Sequence, residues 1–416
     1  MYSGIIYFPC LFFFIIQNFV SPEIFFALAV VYFVWLIIKG NRIIIKPITG
    51  WGILIFFTIF GLTIGLFHWE SNHIQSRDII RDIYYFINPL IFIMIFAEIA
   101  RKKINLYTIM NTIEVAGGIV ALIGGFRMVS YLSKYGINGI GSLNDWRMSV
   151  FTGDLGIVIA IVLLLTRNDK KGLNKFLSRL ILVLCIIVFV FSVSRTSILV
   201  FLCFFLPCIY SRERLSVFIK YFPRIVGFLI LILIFYQLLP SNLTNSFNNK
   251  ILNSFIEIST VSDWNDPATI IQNWRGYETY CAIEEWKSTN LFNQLFGFGF
   301  GKKIYVGSYA KLVDPNAIDS IAVLHNGYST MLIKQGVLGV CLYVLFYILL
   351  IRSAWKSVKR TKLSYLSRLY LGTTLSMALM TYFLNGLFKD VVQLILVLFM
   401  GYLGYIYRIK GEESYV

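Results

Sequence analysis

Charged residues are scarce in this sequence. Only 14% of its 416 residues are Asp, Glu, Lys or Arg, whereas 58% are hydrophobic. A soluble chain of this length needs more charge to cover its surface, so the composition excludes an ordinary soluble protein. The apolar residues come in long blocks of membrane-spanning length, which indicates an integral membrane protein.

The signatures of a metal, a disulfide and a nucleotide site are also missing. No Cys/His cluster has zinc-ligand spacing, and Cys281 is the only cysteine in a long polar segment. We therefore expect no metal and no cofactor. The FGFGFG segment at residues 296–301 looks like a phosphate-binding loop, but it lacks a GK[ST] ending and a preceding strand. A tight turn against the membrane surface is the favoured interpretation.

The formal net charge of +16 does not indicate nucleic acid. The basic residues stand in short clusters between apolar blocks, where topology and anionic lipid headgroups explain them. We therefore expect membrane lipids, and no nucleic acid, as partners. The first apolar block lacks a basic start and a small-residue cleavage site, so we expect it to be a retained span.

The apolar blocks predict a polytopic all-α protein with about twelve transmembrane helices. The apolar run at residues 179–211 is too long for one helix, so we divide it at Arg195. The predicted spans are residues 4–20, 22–39, 50–67, 83–100, 106–126, 149–166, 179–194, 196–211, 221–239, 326–351, 369–388 and 391–407.

The distribution of basic residues predicts the orientation of these spans. Lys and Arg are concentrated in the connections on the side of the N-terminus, which predicts that both termini are cytoplasmic. Residues 1–239 then hold nine transmembrane helices, and residues 240–325 form one long extracytoplasmic (periplasmic) loop with short helices. Residues 326–416 hold three more helices and a short cytoplasmic tail. No internal repeat of the kind found in inverted-repeat transporters is visible.

A helix is predicted within the long loop. Asp266 suits its N-cap and Pro267 its first helical position, and the helix runs to about Trp286. Arg275 and Glu278 are three residues apart and share a face of it. They form either an exposed ion pair or part of a functional site.

His325 stands where the loop enters the tenth span, at the expected outer membrane face. A lone histidine is often structural or merely solvated. This one lies at an interface with outer-face arginines near it in sequence, so it is also a candidate to accept a proton or to donate to a phosphate oxygen.

Several charged residues lie near or within predicted spans, where charge is costly and indicates function. Arg147 and Arg195 are near the outer ends of their helices and suit bidentate binding of phosphate oxygens. Arg147 and Asp154 could instead pair with each other. The other intramembrane charges are Glu114 and Lys334.

The ordered set of motifs resembles the O-antigen polymerase and O-antigen ligase superfamily. The set consists of WRMSVFTG at residues 146–153, SRT at 194–196, WRGYE at 274–278 followed by GFGFG at 297–301, and HNGY at 325–328 followed by GVLG at 336–339. Each motif is short, but their order and spacing cover residues 146–345.

The resemblance implies a metal-independent glycosyltransferase of the bacterial inner membrane. Its donor is a glycan on undecaprenyl diphosphate, and a chain-length regulator and a flippase are implied partners. We expect Arg147, Arg195 and Arg275 to bind the diphosphate, and His325 or Glu278 to act as the base, His325 alternatively contacting the diphosphate. A polymerase is favoured over a ligase that transfers glycan to lipid A-core. A transporter of the same lipid-linked glycan is the other class, and Glu114, Asp154 and Lys334 are the candidates to line its cavity.

Overall fold

Helices make up most of the protein that the structure describes. The structure, a computed structural model, describes residues 6–40, 44–69, 74–136, 155–167, 172–192, 194–209, 264–312, 319–358, 364–389 and 393–409, with the single positions 223, 226, 227, 230, 237 and 244. Within these ranges the regular secondary structure is helical apart from one small strand pair, which confirms the predicted all-α class. Arg147 and Asp154 lie outside the described residues.

The described helices are α1 (Phe8–Ile16), α2 (Pro22–Gly40), α3 (Trp51–Phe67), α4 (Ser76–Arg101), α5 (Leu106–Tyr135), α6 (Leu155–Thr166), α7 (Lys175–Phe191), α8 (Arg195–Ile209), α9 (Pro267–Gln272), α10 (Trp274–Lys287), α11 (Leu291–Phe296), α12 (Gly327–Val358), α13 (Ser364–Leu384) and α14 (Leu394–Ile409). Strands β1 (Ile304–Tyr305) and β2 (Ser320–Ile321) pair antiparallel, and a 3₁₀ helix (Gly307–Leu312) lies between them in the chain.

Four described helices are both long and apolar enough to cross a membrane. They are α2, α4, α5 and residues Gly327–Lys356 of α12. These helices agree with a polytopic membrane protein. Helices also occupy the other predicted spans within the described ranges. α13 has 21 residues but is not apolar enough to be counted with the four, and the others have 17 residues or fewer. The predicted span at residues 221–239 lies outside those ranges. The total of about twelve spans therefore stays a prediction.

The first predicted span contains a shorter helix than expected. α1 has 9 residues, and at 1.5 Å per residue it reaches about 14 Å, less than half of the ~30 Å of hydrocarbon. Pro9 stands in its first turn, where a missing N–H costs no helical hydrogen bond. The side-chain amide of Asn18 donates to the Phe14 carbonyl at 3.1 Å and closes the other end. α1 alone does not cross the bilayer.

The predicted division of the long apolar run at Arg195 is confirmed. α7 ends at Phe191 and α8 begins at Arg195. The hydroxyl oxygen of Ser194 accepts a hydrogen bond from the Ser197 N–H at 3.3 Å, as an N-cap residue does. The side of the membrane on which this break lies stays a prediction.

The chain divides into two compact units. The first comprises Met1–Phe25, Ile99–Phe255 and Tyr365–Thr373. Within it α5 and α6 approach closely because small residues face each other, since a Cβ placed on Gly117 would lie 2.5 Å from the Cβ of Ala160. Almost every residue of α6 is buried, so this helix forms the centre of the first unit.

The second unit comprises Phe26–Glu98, Ile256–Ser364 and Thr374–Val416, and it contains the described part of the long loop. That part has a hydrophobic core of its own, contributed by α10, both strands, the 3₁₀ helix and the start of α12. The buried members are Ala282, Phe298, Ile304, Val306, Ala310, Ile321, Leu324 and Ile333. Burial of these side chains holds α10 against the beginning of α12.

The helix predicted from Pro267 is present but broken. Asp266 caps α9 as expected, because its carboxylate accepts from the N–H groups of Ala268 and Thr269, each at 3.1 Å. At Asn273 the backbone turns to φ −113° and ψ 38°, and α10 starts afresh at Trp274. The single helix to about Trp286 was therefore wrong, and the break lets α10 take its own direction over the loop core.

The FGFGFG segment is not a turn on the membrane surface. Gly297, Gly299 and Gly301 all have positive φ, at 75°, 76° and 89°. The segment is buried, and Phe300 is 0% exposed. Its backbone N–H groups donate in turn to distant acceptors in the second unit: Phe298 to the Ile333 carbonyl, Gly299 to Lys334, Phe300 to Gly61 and Gly301 to the Asp82 carboxylate. The glycines are needed because the backbone itself is packed between helices.

Candidate active site

The most informative contact in the second unit joins Glu278 and His325. Nδ1 of His325 lies 3.0 Å from both carboxylate oxygens of Glu278. The backbone N–H of His325 donates to Oε2 of the same carboxylate at 3.0 Å. The Glu278 side chain is 0% exposed, whereas that of His325 is 34% exposed. The sequence had marked both residues but had not predicted that they touch.

α10 places Glu278 because its neighbours on the helix pack into the loop core. Ala282, one turn later, is fully buried, and Tyr277 and Cys281 pack against the same cluster. A helix buried along this face carries Glu278 inward. Glu278 is therefore not half of an exposed ion pair, which rejects that alternative for this carboxylate.

The start of α12 places His325. The side-chain oxygen of Asn326 accepts from the N–H of Tyr328 at 3.0 Å, so Asn326 caps the helix. The hydroxyl of Thr330 accepts from the N–H of Leu324 at 3.2 Å. His325 is thus fixed between two residues that are tied to the first turn of the helix.

A turn after α13 holds His325 from the other side. The backbone N–H of Asn385 donates to the His325 carbonyl at 2.6 Å. Asn385 adopts φ 64°, a left-handed conformation that asparagine tolerates better than most residues. Its amide donates to the Phe388 carbonyl at 2.8 Å, which stabilises the turn. Asn385 was not predicted from the sequence, because no pattern in the neighbouring residues indicates a contact with His325.

This arrangement suits an oriented general base. An ionised carboxylate only accepts hydrogen bonds, so Nδ1 of His325 carries the hydrogen that Glu278 accepts. The lone pair of the imidazole then lies on Nε2, at the opposite edge of a partly exposed ring. A carboxylate behind a histidine fixes the tautomer and stabilises the imidazolium that forms on proton transfer.

Arg275 lies on α10 three residues before Glu278 and is half-buried. Residues three apart share a helix face, so Arg275 stands on the side of α10 from which Glu278 contacts His325. Arg195 is half-buried at the first position of α8, in the first unit. The diphosphate-binding roles of Arg147, Arg195 and Arg275 remain predictions.

Two charges that the sequence placed inside the membrane are in buried ion pairs. In the first unit, Nη1 of Arg167 lies 3.0 Å from Oε1 of Glu114 and 2.6 Å from the Asn111 side-chain oxygen. In the second unit, Nζ of Lys334 lies 2.5 Å from Oδ2 of Asp82. Each charge has a partner within its own unit, as buried charges require.

The Lys334–Asp82 pair organises the glycine-rich segment. Nζ of Lys334 also donates to the Lys302 carbonyl at 2.6 Å, and the Gly301 N–H donates to Oδ2 of Asp82 at 2.6 Å. Sequence reasoning missed Asp82. The available signal was Lys334 itself, because a lysine within a span needs a buried anionic partner.

The thiol of Cys281, on α10, lies near the candidate base but does not itself act as a base or nucleophile. Burial is the main cause that raises the pKa of this thiol, and the carboxylates of Glu285 and Glu278 raise it further. Burial also raises the pKa of the neighbouring Tyr277 to about 12. Both groups are therefore protonated at neutral pH, so neither serves as a base or nucleophile there.

Residues 180–344 match a protein-family model described as O-antigen ligase. The match spans Arg195, Arg275, Glu278 and His325, and it confirms the resemblance to the O-antigen polymerase and ligase superfamily. No curated protein matches the chain. The apolar helices agree with an integral membrane protein, and the match, which covers less than half of the chain, supports a glycosyl-transfer function of the O-antigen ligase or polymerase type.

Proposed function

We propose that this protein is a surface-polysaccharide polymerase. Two observations support the proposal: residues 180–344 match the O-antigen ligase family, and Glu278 contacts His325 as a carboxylate that supports a histidine base does. The substrates of the polymerase are oligosaccharide repeat units linked to undecaprenyl diphosphate. It joins them at the periplasmic face of the bacterial inner membrane. The Glu278–His325 contact is the observation that carries the assignment to an enzyme.

The reaction begins with a hydroxyl group of the acceptor sugar. Nε2 of His325 removes the hydroxyl proton as the oxygen attacks the anomeric carbon of the donor glycan. A new glycosidic C–O bond forms while the bond from that carbon to the diphosphate breaks, and the electron pair leaves with the undecaprenyl diphosphate. Glu278 is too buried to reach the acceptor, so we assign it to orienting His325 and stabilising its imidazolium form.

Arginine side chains stabilise the departing charge. Arg275 shares a helix face with Glu278 and is the candidate in the loop. Arg147 and Arg195 are the further candidates from the sequence. Guanidinium groups bind phosphate oxygens in a bidentate manner, so they can serve a diphosphate leaving group as a metal ion would. We therefore propose a metal-independent reaction, which predicts full activity in the presence of a chelator.

Ligase activity is the alternative, and the description of the matching family model favours it. A ligase uses the same donor and the same base but accepts the hydroxyl of a lipid A-core sugar. The chemistry at His325 and Glu278 is then unchanged, so the two functions differ only in the acceptor.

The lipopolysaccharide banding of a deletion strain decides between them. Core carrying one repeat unit indicates loss of a polymerase. Loss of all surface glycan, with lipid-linked polymer accumulating, indicates loss of a ligase. A normal ladder of bands would reject both functions.

A further inference from the structure

A small polar cavity lies in the second unit, and α10, the helix that carries Glu278, contributes to its wall. Its volume is about 250 Å³. Its walls come from the start of α4, from α10, from the chain around β1 and from β2. Its polar lining residues include Gln75, Asp78, Glu285, Lys302, Lys303 and Ser320. Drug-sized ligands fill pockets of about 300–1,000 Å³, so this cavity suits a smaller polar group.

The charges in the cavity balance each other. Lys303 lies 2.8 Å from Asp78, and Lys302 lies 2.5 Å from Glu285. Two carboxylates disfavour a diphosphate, and two ammonium groups disfavour a cation. The wall nevertheless offers several hydrogen-bond donors and acceptors, which matches a neutral ligand that carries many hydroxyl groups.

One carboxylate oxygen in the wall of the cavity can accept a further hydrogen bond. Oε2 of Glu285 is buried and has no hydrogen-bond partner among the residues that the structure describes. Its other oxygen, Oε1, is held by Lys302. Buried acceptors are nearly always satisfied, so this oxygen is the acceptor that a ligand hydroxyl would satisfy.

Tyr305 supplies an aromatic surface at the same cavity. On β1 the side chain of Ile304 points into the loop core, and that of Tyr305 is 64% exposed. Alternation along the strand therefore sends the ring outward. An exposed tyrosine offers an apolar face and a polar tip, which suits a sugar ring with its C–H face and its hydroxyl edge.

The cavity is close to the candidate base. Glu285 and Glu278 are seven residues apart on α10, so they share a face and are separated by about 10.5 Å along the helix. Only two residues separate the end of β2, the strand that contributes Ser320, from Leu324 and His325. A glycan that reacts at His325 therefore needs only a few sugar rings to extend into the cavity.

We propose that this cavity is a binding subsite for one neutral sugar ring of the glycan substrate, with Tyr305 as its stacking surface and Glu285 as its hydroxyl acceptor. The inference rests on the proposed glycosyl transfer for the identity of the ligand. It adds a site away from the reacting bond, where specificity for the repeat unit is determined.

Binding of a free oligosaccharide tests the subsite. The full chain in lipid nanodiscs is titrated with the repeat-unit oligosaccharide that mild acid releases from its undecaprenyl diphosphate carrier, and binding is followed by saturation-transfer NMR. Tyr305→Ala weakens binding about tenfold relative to the unaltered chain, whereas Tyr305→Phe keeps the ring and stays within about twofold. Tyr280→Ala is the matched control, because Tyr280 is also exposed but does not line the cavity.

The steady-state kinetics identify which substrate holds the sugar. If the ring belongs to the acceptor, Tyr305→Ala raises KM for the acceptor alone, and if it belongs to the donor, KM for the donor rises. Either result supports the subsite. Failure of the unaltered chain to bind the oligosaccharide, or equal binding by the unaltered chain and Tyr305→Ala, overturns it.

A His325→Ala variant separates this inference from the proposed function. It should bind the free oligosaccharide within about twofold of the unaltered chain, while its kcat for polymer synthesis falls by about 10²–10⁴-fold. Full polymer synthesis by this variant would reject the proposed role of His325 and leave the Tyr305 measurement intact.

Discussion

The carboxylate of Glu278 contacts two different groups of His325: the ring Nδ1, at 3.0 Å, and the backbone nitrogen, also at 3.0 Å. This double contact fixes both the position of the residue and the orientation of its ring. A histidine that is only solvated would have neither constraint. The contact therefore makes separate predictions for the ring and for the carboxylate.

Removal of the ring should abolish most of the activity. General-base catalysis contributes about 10²–10⁴-fold, so His325→Ala should lower kcat by that factor. Polymer synthesis by purified protein with a lipid-linked donor measures this. Tyr280→Ala is a control with an exposed side chain in the same loop. A normal rate in His325→Ala, at normal expression, would refute the base assignment.

Neutralisation of the carboxylate should lower kcat without changing KM. Glu278→Gln keeps the shape but places an amide against Nδ1, which allows the wrong tautomer of His325. We expect a loss of about 10²-fold or more in kcat. A structural role alone would lower the amount of folded protein instead, so thermal unfolding of the variant is measured beside its kinetics. A rise in KM at constant kcat would contradict an orienting role.

The buried pair of Lys334 and Asp82 should behave as a coupled unit. Their side chains are 1% and 2% exposed. Loss of one partner leaves an uncompensated buried charge, so Lys334→Met or Asp82→Asn should destabilise the protein by about 3–5 kcal/mol. The double variant Lys334→Met/Asp82→Asn should recover part of this loss. Thermal unfolding in detergent of both single variants and the double variant gives the coupling, and strict additivity would refute it.

Gly299 should not tolerate a side chain. Its φ is 76°, and a Cβ there would overlap the backbone of Gly65 in α3. Gly299→Ala should therefore destabilise the protein by at least about 2 kcal/mol, measured by thermal unfolding. Gly52→Ala is the matched control, because a Cβ at Gly52 of α3 meets nothing within 4 Å. That change should be neutral or stabilising, since alanine favours a helix.

Local patterns predicted several features of this fold correctly. Asp266 precedes Pro267, and that pair alone indicates a capped helix start. The polar residues around Arg195 interrupt an apolar run that is too long for one span, which indicates the break between α7 and α8. Each of these signals lies within a few residues of the feature that it predicts.

Contacts between distant residues could not be predicted in this way. Glu278 and His325 are 47 residues apart, and Asp82 and Lys334 are 252 apart. The sequence marked three of these four residues by their type and position, but pairing depends on how the helices pack. The FGFGFG segment shows the same limit. Its glycines indicate an unusual backbone, but only the tertiary structure determines that the segment is buried between helices.

Cys281 should react slowly with alkylating reagents. Burial and two nearby carboxylates raise its thiol pKa above the ordinary value. The thiolate is the reactive form, so the alkylation rate of Cys281 should stay low at neutral pH. The rate should still be rising at pH values at which an ordinary thiol is already fully ionised. The assay uses a chain that keeps only Cys281. The reference is Lys287→Cys in a cysteine-free chain, because Lys287 is exposed on the same helix. Equal rates for the two at pH 7 would contradict the raised pKa.

The orientation of the chain can be measured with the same reagents. The distribution of basic residues predicts that the loop is periplasmic and that the connection before α7 is cytoplasmic. A membrane-impermeant maleimide added to cells with a permeabilised outer membrane should therefore label Lys287→Cys but not Lys175→Cys. Both positions are exposed in the structure, so access across the inner membrane alone separates them. After the inner membrane is disrupted both should react, which controls for local burial. Labelling of Lys175→Cys in intact inner membranes, with Lys287→Cys protected, would reverse the topology. It would also place Glu278 and His325 on the side opposite to a periplasmic donor, so this experiment bears on the proposed function as well as on the fold.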